Sequence, residues 1–262
     1  MEHQGAVMTG TSSTVFSVMQ AAAPSYLRWY HRHEVRVDAE IPEPALLVSN
    51  HGFGGLADLN VLAMFAVPEK AALTRPITAL VHQLAWTVGA GRIAEALGGQ
   101  PASRESADAA FAAGHNVLVF PGGDVDAGKS WRDRNRILFD SRCGFARLAM
   151  VHGVPVVPVV TAGAGDSLFV VSDGQHLARR LRLHRHLRVK ALPISVSIPW
   201  GVSVGVAGML PYVALPTKLI TAVLPPMTAH SDESAEDFAA RVEAAMQARL
   251  NELVANRKPL VG

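Results

Sequence analysis

Leu46-Leu47-Val48-Ser49-Asn50-His51-Gly52-Phe53-Gly54-Gly55-Leu56-Ala57-Asp58 is an apolar run that ends in Asn-His, passes a glycine-rich turn and reaches an aspartate at the head of the next apolar segment. Ala45 to Ser49 reads as a buried strand, and Leu59 to Ala66 as the helix after the glycine loop. The imidazole of His51 therefore sits at a strand-to-helix junction with a carboxylate seven residues on. A general base needs a group that holds its tautomer, and Asp58 is the candidate.

Working outward, Ser103 to Ala113 reads as a helix closed by Gly114, and Asn116 to Phe120 as a second buried strand that runs into Pro121-Gly122-Gly123-Asp124. Gly144 to His152 is helical, Gly153 ends it, and Val154 to Val160 is a third strand. Strand, helix, strand with short punctuation implies parallel pairing and right-handed crossovers. The expected fold is thus a single α/β domain, with a mixed and mostly parallel sheet flanked by helices. Ligands of such sheets sit beyond the carboxyl ends of the strands, so the His51 loop and the Pro121-Gly122-Gly123 loop are expected to share one site. Towards the end of the chain, Ser234 and Asp237 form a capping-box-like start. Phe238, Val242, Met246, Leu250 and Leu253 then make the stripe of a docking helix.

The start of the chain reads as a short helix to about Ala23, interrupted by Pro24. The segment Tyr26 to His33 mixes aromatic and basic residues. It suits either a lipid headgroup boundary or a helix that packs Trp29 on the core. No secretory pattern is present, and no run reaches the ~20 apolar residues of a membrane span without prolines or charges.

The 262 residues carry 24 basic and 22 acidic side chains, a net charge of +2 that implies no particular partner. The distribution says more, because no Asp or Glu lies between Asp173 and Asp232 while seven Lys and Arg do. The basic segment His176 to Lys190 and the Pro-rich apolar stretch to Pro216 fit a membrane-contact surface, or else a surface helix leading into core strands. Aromatic interleaving of the kind that binds nucleic acid is missing, so none is expected. The single cysteine, Cys143, excludes an internal disulfide framework. No metal site is expected, since His184 and His186 alternate with arginines.

Two further motifs match in form only. Gly123 to Ser130 fits the phosphate-loop pattern, but two aspartates inside it would repel phosphate, and the residues after it lack a helix face. Gly201 to Gly205 fits the nucleophile elbow of serine hydrolases, yet no acid lies between Ser203 and the one later histidine, His230.

Asn50-His51…Asp58, Phe120-Pro121-Gly122-Gly123 and Val154-Pro155-Val156-Val157-Pro158 together resemble the glycerolipid acyltransferase superfamily, which includes the 1-acylglycerol-3-phosphate acyltransferases. The likeness is closer to its monoacylglycerol/diacylglycerol-acyltransferase-like branch. Phe120 to Asp124, Lys129-Ser130-Trp131 and Phe139 to Ala149 carry it. The resemblance covers roughly residues 40 to 225. It implies transfer of a fatty acyl group from a coenzyme A or carrier-protein thioester to a lipid hydroxyl, with no covalent acyl-enzyme and no cofactor beyond the donor substrate. His51 would be the base and Asp58 its partner. Asn50, Gly54, Phe120, Pro121, Gly122, Gly123 and Arg142 would contact substrate. Residues 1–34 would be a helical, membrane-contacting segment, and residues 35–262 the acyltransferase domain of a cytoplasmic, peripherally membrane-associated protein.

Two departures from the family pattern matter. Six residues separate His51 from Asp58 where the family has four, so Asp58 could instead cap the following helix. The Pro-Glu-Gly-Thr-Arg block, associated with a phosphorylated acceptor, is replaced by Pro121 to Val125, which favours a neutral one. The rival readings are a nucleotide-binding enzyme built on Gly123 to Ser130 and a non-catalytic lipid-binding module of the same fold.

Overall fold

The computed structural model describes residues 10–53, 58–82, 86, 91–183, 190–210 and 212–258. Its centre is a seven-stranded sheet in the order β1 (Glu34–Val37), β10 (Ile220–Val223), β6 (Val156–Ala162), β2 (Leu46–Ser49), β5 (Asn116–Val119), β3 (Ile77–Val81), β4 (Gly99–Pro101). Strands β2 to β6 run parallel, while β1 and β10 pair parallel with each other and antiparallel to the rest through β6. The mixed, mostly parallel sheet is the one expected. A second sheet of three antiparallel strands, β7 (Phe169–Ser172), β8 (Ile194–Ser197) and β9 (Gly201–Val204), stands apart from it.

The helices are α1 (Gly10–Tyr30), α2 (Leu59–Ala63), α3 (Val67–Lys70), α4 (Gly91–Ala96), α5 (Arg104–Ala112), α6 (Gly123–Ala127), α7 (Gly144–His152), α8 (Gln175–Arg180) and α9 (Ala235–Ala255). Alternation along the central strands divides the core. Leu46 and Val48 face a layer closed by Phe139, Phe145 and the α9 residues Phe238, Val242, Met246 and Leu250. Leu47, Leu118 and Val157 face the opposite layer, with Ile41, Met64 and Val67. Helix boundaries follow local chemistry. Ser103 accepts from the Ser106 N–H, Ser234 accepts from the Asp237 N–H, and Gly153 closes α7 at φ +63°.

Pro24 does not end the first helix. It lies inside α1, which continues to Tyr30. An internal proline costs about 3 kcal/mol, and burial of Ala23 and of Leu27 against Leu59, Ala63, Ala164 and Leu219 offsets it. Leu27, not Trp29, is the residue packed on the core; Trp29 is 81% exposed. Among the described residues no helix is long and apolar enough to cross a membrane.

Candidate active site

Strands β2 and β5 are parallel neighbours, so the peptide after each emerges on the same edge of the sheet. His51 follows β2 and Phe120 follows β5, and their rings stack with centroids 4.6 Å apart. His51 Nδ1 lies 2.7 Å from Asp58 Oδ2. The other oxygen, Asp58 Oδ1, accepts from the Asn60 N–H at 2.8 Å and caps α2. Partner and cap are therefore one residue, because a carboxylate has two oxygens and each meets a different donor. The His51 side chain is 17% exposed and that of Asp58 1%. With Nδ1 engaged by the carboxylate, Nε2 is the nitrogen left for a substrate proton.

The main chain of His51 is held from both sides. Its N–H donates to Asp126 Oδ2 at 2.7 Å, and its carbonyl accepts from Lys129 Nζ at 2.9 Å. Asp126 and Lys129 are both buried and form a 2.6 Å ion pair. The Leu138 N–H donates to Asp126, and Lys129 donates to the Arg136 carbonyl, so the charges of the pair are hydrogen-bonded on every side. This overturns the phosphate-loop reading. Gly123 to Ala127 is helix α6, and the Lys129 ammonium has all three of its donors committed inside the protein. Sequence reasoning missed Asp126, and it met Lys129 only as the lysine of the phosphate-loop pattern and as part of the family run, not as a brace for His51. The signal was present as opposite charges three residues apart, just after a strand end.

The other expected contact residues divide by position. Asn50 is buried, and its amide exchanges two hydrogen bonds with the Thr161 backbone at 3.2 and 2.9 Å. Its polar atoms therefore tie β2 to β6 instead of facing a substrate, and its carbonyl accepts from Asn60 Nδ2. Arg142 donates to the Gly122 carbonyl at 2.9 Å and to Asp124 Oδ1 at 2.7 Å, so it braces the Pro121-Gly122-Gly123 turn. Burial opposes ionisation of Asp124, but bonds from Arg142 and from the Lys190 N–H outweigh it and hold the carboxyl below its ordinary value. Gly122 has no room for a side chain, since a Cβ would overlap Asp126 and lie 2.5 Å from the Leu138 carbonyl oxygen. Gly123 adopts φ +49°, a left-handed conformation that favours glycine. Gly54, with the rest of residues 54–57, lies outside the described residues.

Phe120 and Pro121 also border a cavity of about 500 Å³ between the sheet, α5 and α7. Leu80, Ala107, Val119, Phe145 and Leu148 give it an apolar body, and Arg104, Arg142 and Arg147 stand in its lining. Neither Ser203 of the elbow-like motif nor the single cysteine, Cys143, lies in a setting that suits a nucleophile. Ser203 is buried on the inner side of β9. Cys143 donates to Glu236, whose carboxylate raises the thiol above its ordinary value.

The sequence model of the Acyltransferase family matches residues 32–162. A Gallus gallus protein described as a DGAT1/2-independent enzyme synthesizing storage lipids is 25% identical over 94% of this chain. An uncharacterised protein of Mycobacterium leprae is 27% identical over 74% of it. The chain spans 66% of the length of the first and 51% of the second. The crystal structure of the 1-acyl-sn-glycerophosphate acyltransferase PlsC from Thermotoga maritima shares the fold, with a TM-score of 0.56 and 17% identity over 94% of this chain and 82% of that one. With His51 and Phe120 at adjacent strand ends, the family model that matches half of the sequence leads to one conclusion: the chain belongs to the Acyltransferase family.

Proposed function

We propose that the protein moves a fatty acyl group from an acyl-coenzyme A or acyl-carrier-protein thioester to a hydroxyl of a neutral glycerolipid or related lipid, with His51 as general base. The observation that carries this reading is the 2.7 Å contact between His51 Nδ1 and Asp58. Asp58 fixes the tautomer in which Nε2 is basic and stabilises the imidazolium that forms. The acceptor hydroxyl gives its proton to Nε2 as its oxygen attacks the thioester carbonyl. Collapse of the tetrahedral intermediate expels the thiolate, which takes the proton back from His51. The enzyme forms no covalent bond in this scheme.

A neutral acceptor is favoured because Arg142 is committed to Gly122 and Asp124, and the Glu and Arg of the phosphate-associated block are absent. The apolar cavity beside Phe120 suits an alkyl chain, and the exposed Arg104 in its lining suits the anionic end of a thioester carrier. A thiol-release assay with acyl-coenzyme A and paired neutral and phosphorylated acceptors tests the proposal. His51→Ala should lower the rate by about 10²- to 10⁴-fold, the usual worth of a positioned base. Unchanged release by that variant would overturn the assignment, and lipid binding without release by the wild type would favour a non-catalytic module.

A further inference from the structure

The small sheet is inside out. Along each strand, the residues facing the body of the protein are Val170, Ser195, Ser197 and Ser203, all buried. Those facing outward are Phe169, Val171, Val196, Val202 and Val204, all exposed, and Val202 reaches 72%. Register places Phe169, Val196 and Val202 in one row across the three strands, with Val170, Ser195 and Ser203 in the row behind. An antiparallel sheet with one solvated face ordinarily alternates apolar-in with polar-out. Here three serines share the inner face with Val170, and branched or aromatic side chains occupy the outer one.

The turn from β8 to β9 extends the exposed area with Ile198 and Trp200. Val213, whose N–H donates to the Ile198 carbonyl, and Leu215 carry it further. A contiguous apolar surface of this kind marks a site of interaction.

The chemistry of the partner can be read from what surrounds the face. The connection from β7 to β8 leaves one end of the sheet and carries Arg179, Arg180 and Arg182, all exposed, beside exposed Leu177 and Leu181. No acidic residue occurs from 174 to 231, a stretch that includes β8, β9 and every residue of the extension. Aromatic rings lie at the borders, with Trp200 at the turn and Trp131 against Phe169 at 5.8 Å. Trp131 also lines a small crevice with Gly52 and Phe53, next to His51.

An apolar plane with cations at its edge, a single acidic residue (Asp173) between the start of β7 and the end of β9, and bordering tryptophans is complementary to a bilayer carrying anionic headgroups. From these features we infer that the outer face of β7–β9 is the surface on which the protein sits on such a bilayer, holding the crevice at Gly52, Phe53 and Trp131 near the lipid boundary. The inference rests on the lipid-acceptor reading above and adds to it the surface used.

The test is cosedimentation of the full chain with vesicles of phosphatidylcholine alone and of phosphatidylcholine with phosphatidylglycerol at 3:1, without substrate. The wild type should bind the anionic vesicles more tightly, and added salt should weaken that binding. Phe169→Thr/Val196→Thr/Val202→Thr keeps strand-forming side chains and should lower the affinity at least ten-fold, roughly the worth of three lost apolar contacts. Arg179→Gln/Arg180→Gln/Arg182→Gln should cost roughly five-fold per arginine on anionic vesicles and little on neutral ones. Thiol release with a detergent-dispersed acceptor should stay at the wild-type rate in both variants.

Vesicle binding by the threonine variant equal to that of the wild type would overturn the inference. So would a wild type that ignores vesicles but forms a dimer that the threonine variant dissolves, since the face would then join two copies. Binding and catalysis are read separately. A wild type that binds vesicles and releases no thiol therefore refutes the acyl-transfer reading alone, and one that releases thiol and ignores vesicles refutes the docking face alone.

Discussion

His51 is fixed at three points: its ring by Asp58, its N–H by Asp126 and its carbonyl by Lys129. A buried ion pair contributes little net stability, yet removing one partner strands the other charge. Lys129→Met should therefore lose about 3–5 kcal/mol in urea unfolding, the usual cost of breaking such a pair. Under conditions where the variant remains folded, the proposed role of His51 predicts that kcat falls while KM holds, because the His51 ring is displaced and the substrate surfaces are not. A displacement near 1 Å is typically worth about 100-fold in rate. Equal and parallel changes in KM would place Lys129 in substrate contact instead. The two glycines beside this pair are needed for different reasons, Gly122 for space and Gly123 for its positive φ. Gly122→Ala should consequently perturb Asp126 directly, and thermal melting should register the loss even though alanine suits the backbone there.

At the scale of elements, α9 does more than cover the sheet. Its apolar stripe buries Phe238, Val242, Met246, Leu250 and Leu253, while its Glu243 and Gln247 side chains accept from the Phe139 and Ile137 N–H groups at 2.9 and 2.8 Å. The same 136–139 segment supplies the Leu138 N–H to Asp126 and the Arg136 carbonyl to Lys129. The last helix is thus mechanically joined to the ion pair behind His51. Leu250→Ala should destabilise by about 2–5 kcal/mol through the cavity it leaves. Ser234→Ala should cost about 1 kcal/mol, the usual worth of an N-cap. Both are measured by chemical unfolding. Glu243→Ala should lower activity as well as stability, and an activity loss absent from the Ser234 variant at matched stability would identify this path.

For the whole molecule, acid sensitivity follows from two histidines between α1 and the sheet edge. Burial lowers the pKa of His31 to about 4, and burial with the neighbouring His31 and Lys218 does the same for His33. Both are neutral when folded, whereas the unfolded chain takes up protons near pH 6.5. Stability should therefore fall as pH drops from about 6.5 to 4, with each group contributing up to about 1.4 kcal/mol per pH unit. Glu43 adds to the loss lower down. Burial opposes its ionisation, but hydrogen bonds from Thr74, Asn116 and Arg75 hold its pKa at about 2, so the stability it provides disappears between pH 4.5 and 2. Urea midpoints across this range check both windows, and His33→Asn should flatten the upper one.

Much of this organisation was legible in the sequence, because strands, caps and the α9 stripe depend on neighbours within a few residues. The residues Ser103, Gly153 and Ser234 announce the helix ends they form. The position of His51 at a strand end was equally local. What only the tertiary structure decided are the pairings across long separations. Asn50 meets Thr161 over 111 residues, and Lys129 reaches the His51 carbonyl over 78. The outward turn of Val171, Val196, Val202 and Val204 belongs to the same class. Periodicity reports that one face of a strand differs from the other, but which face meets the core depends on what packs behind it.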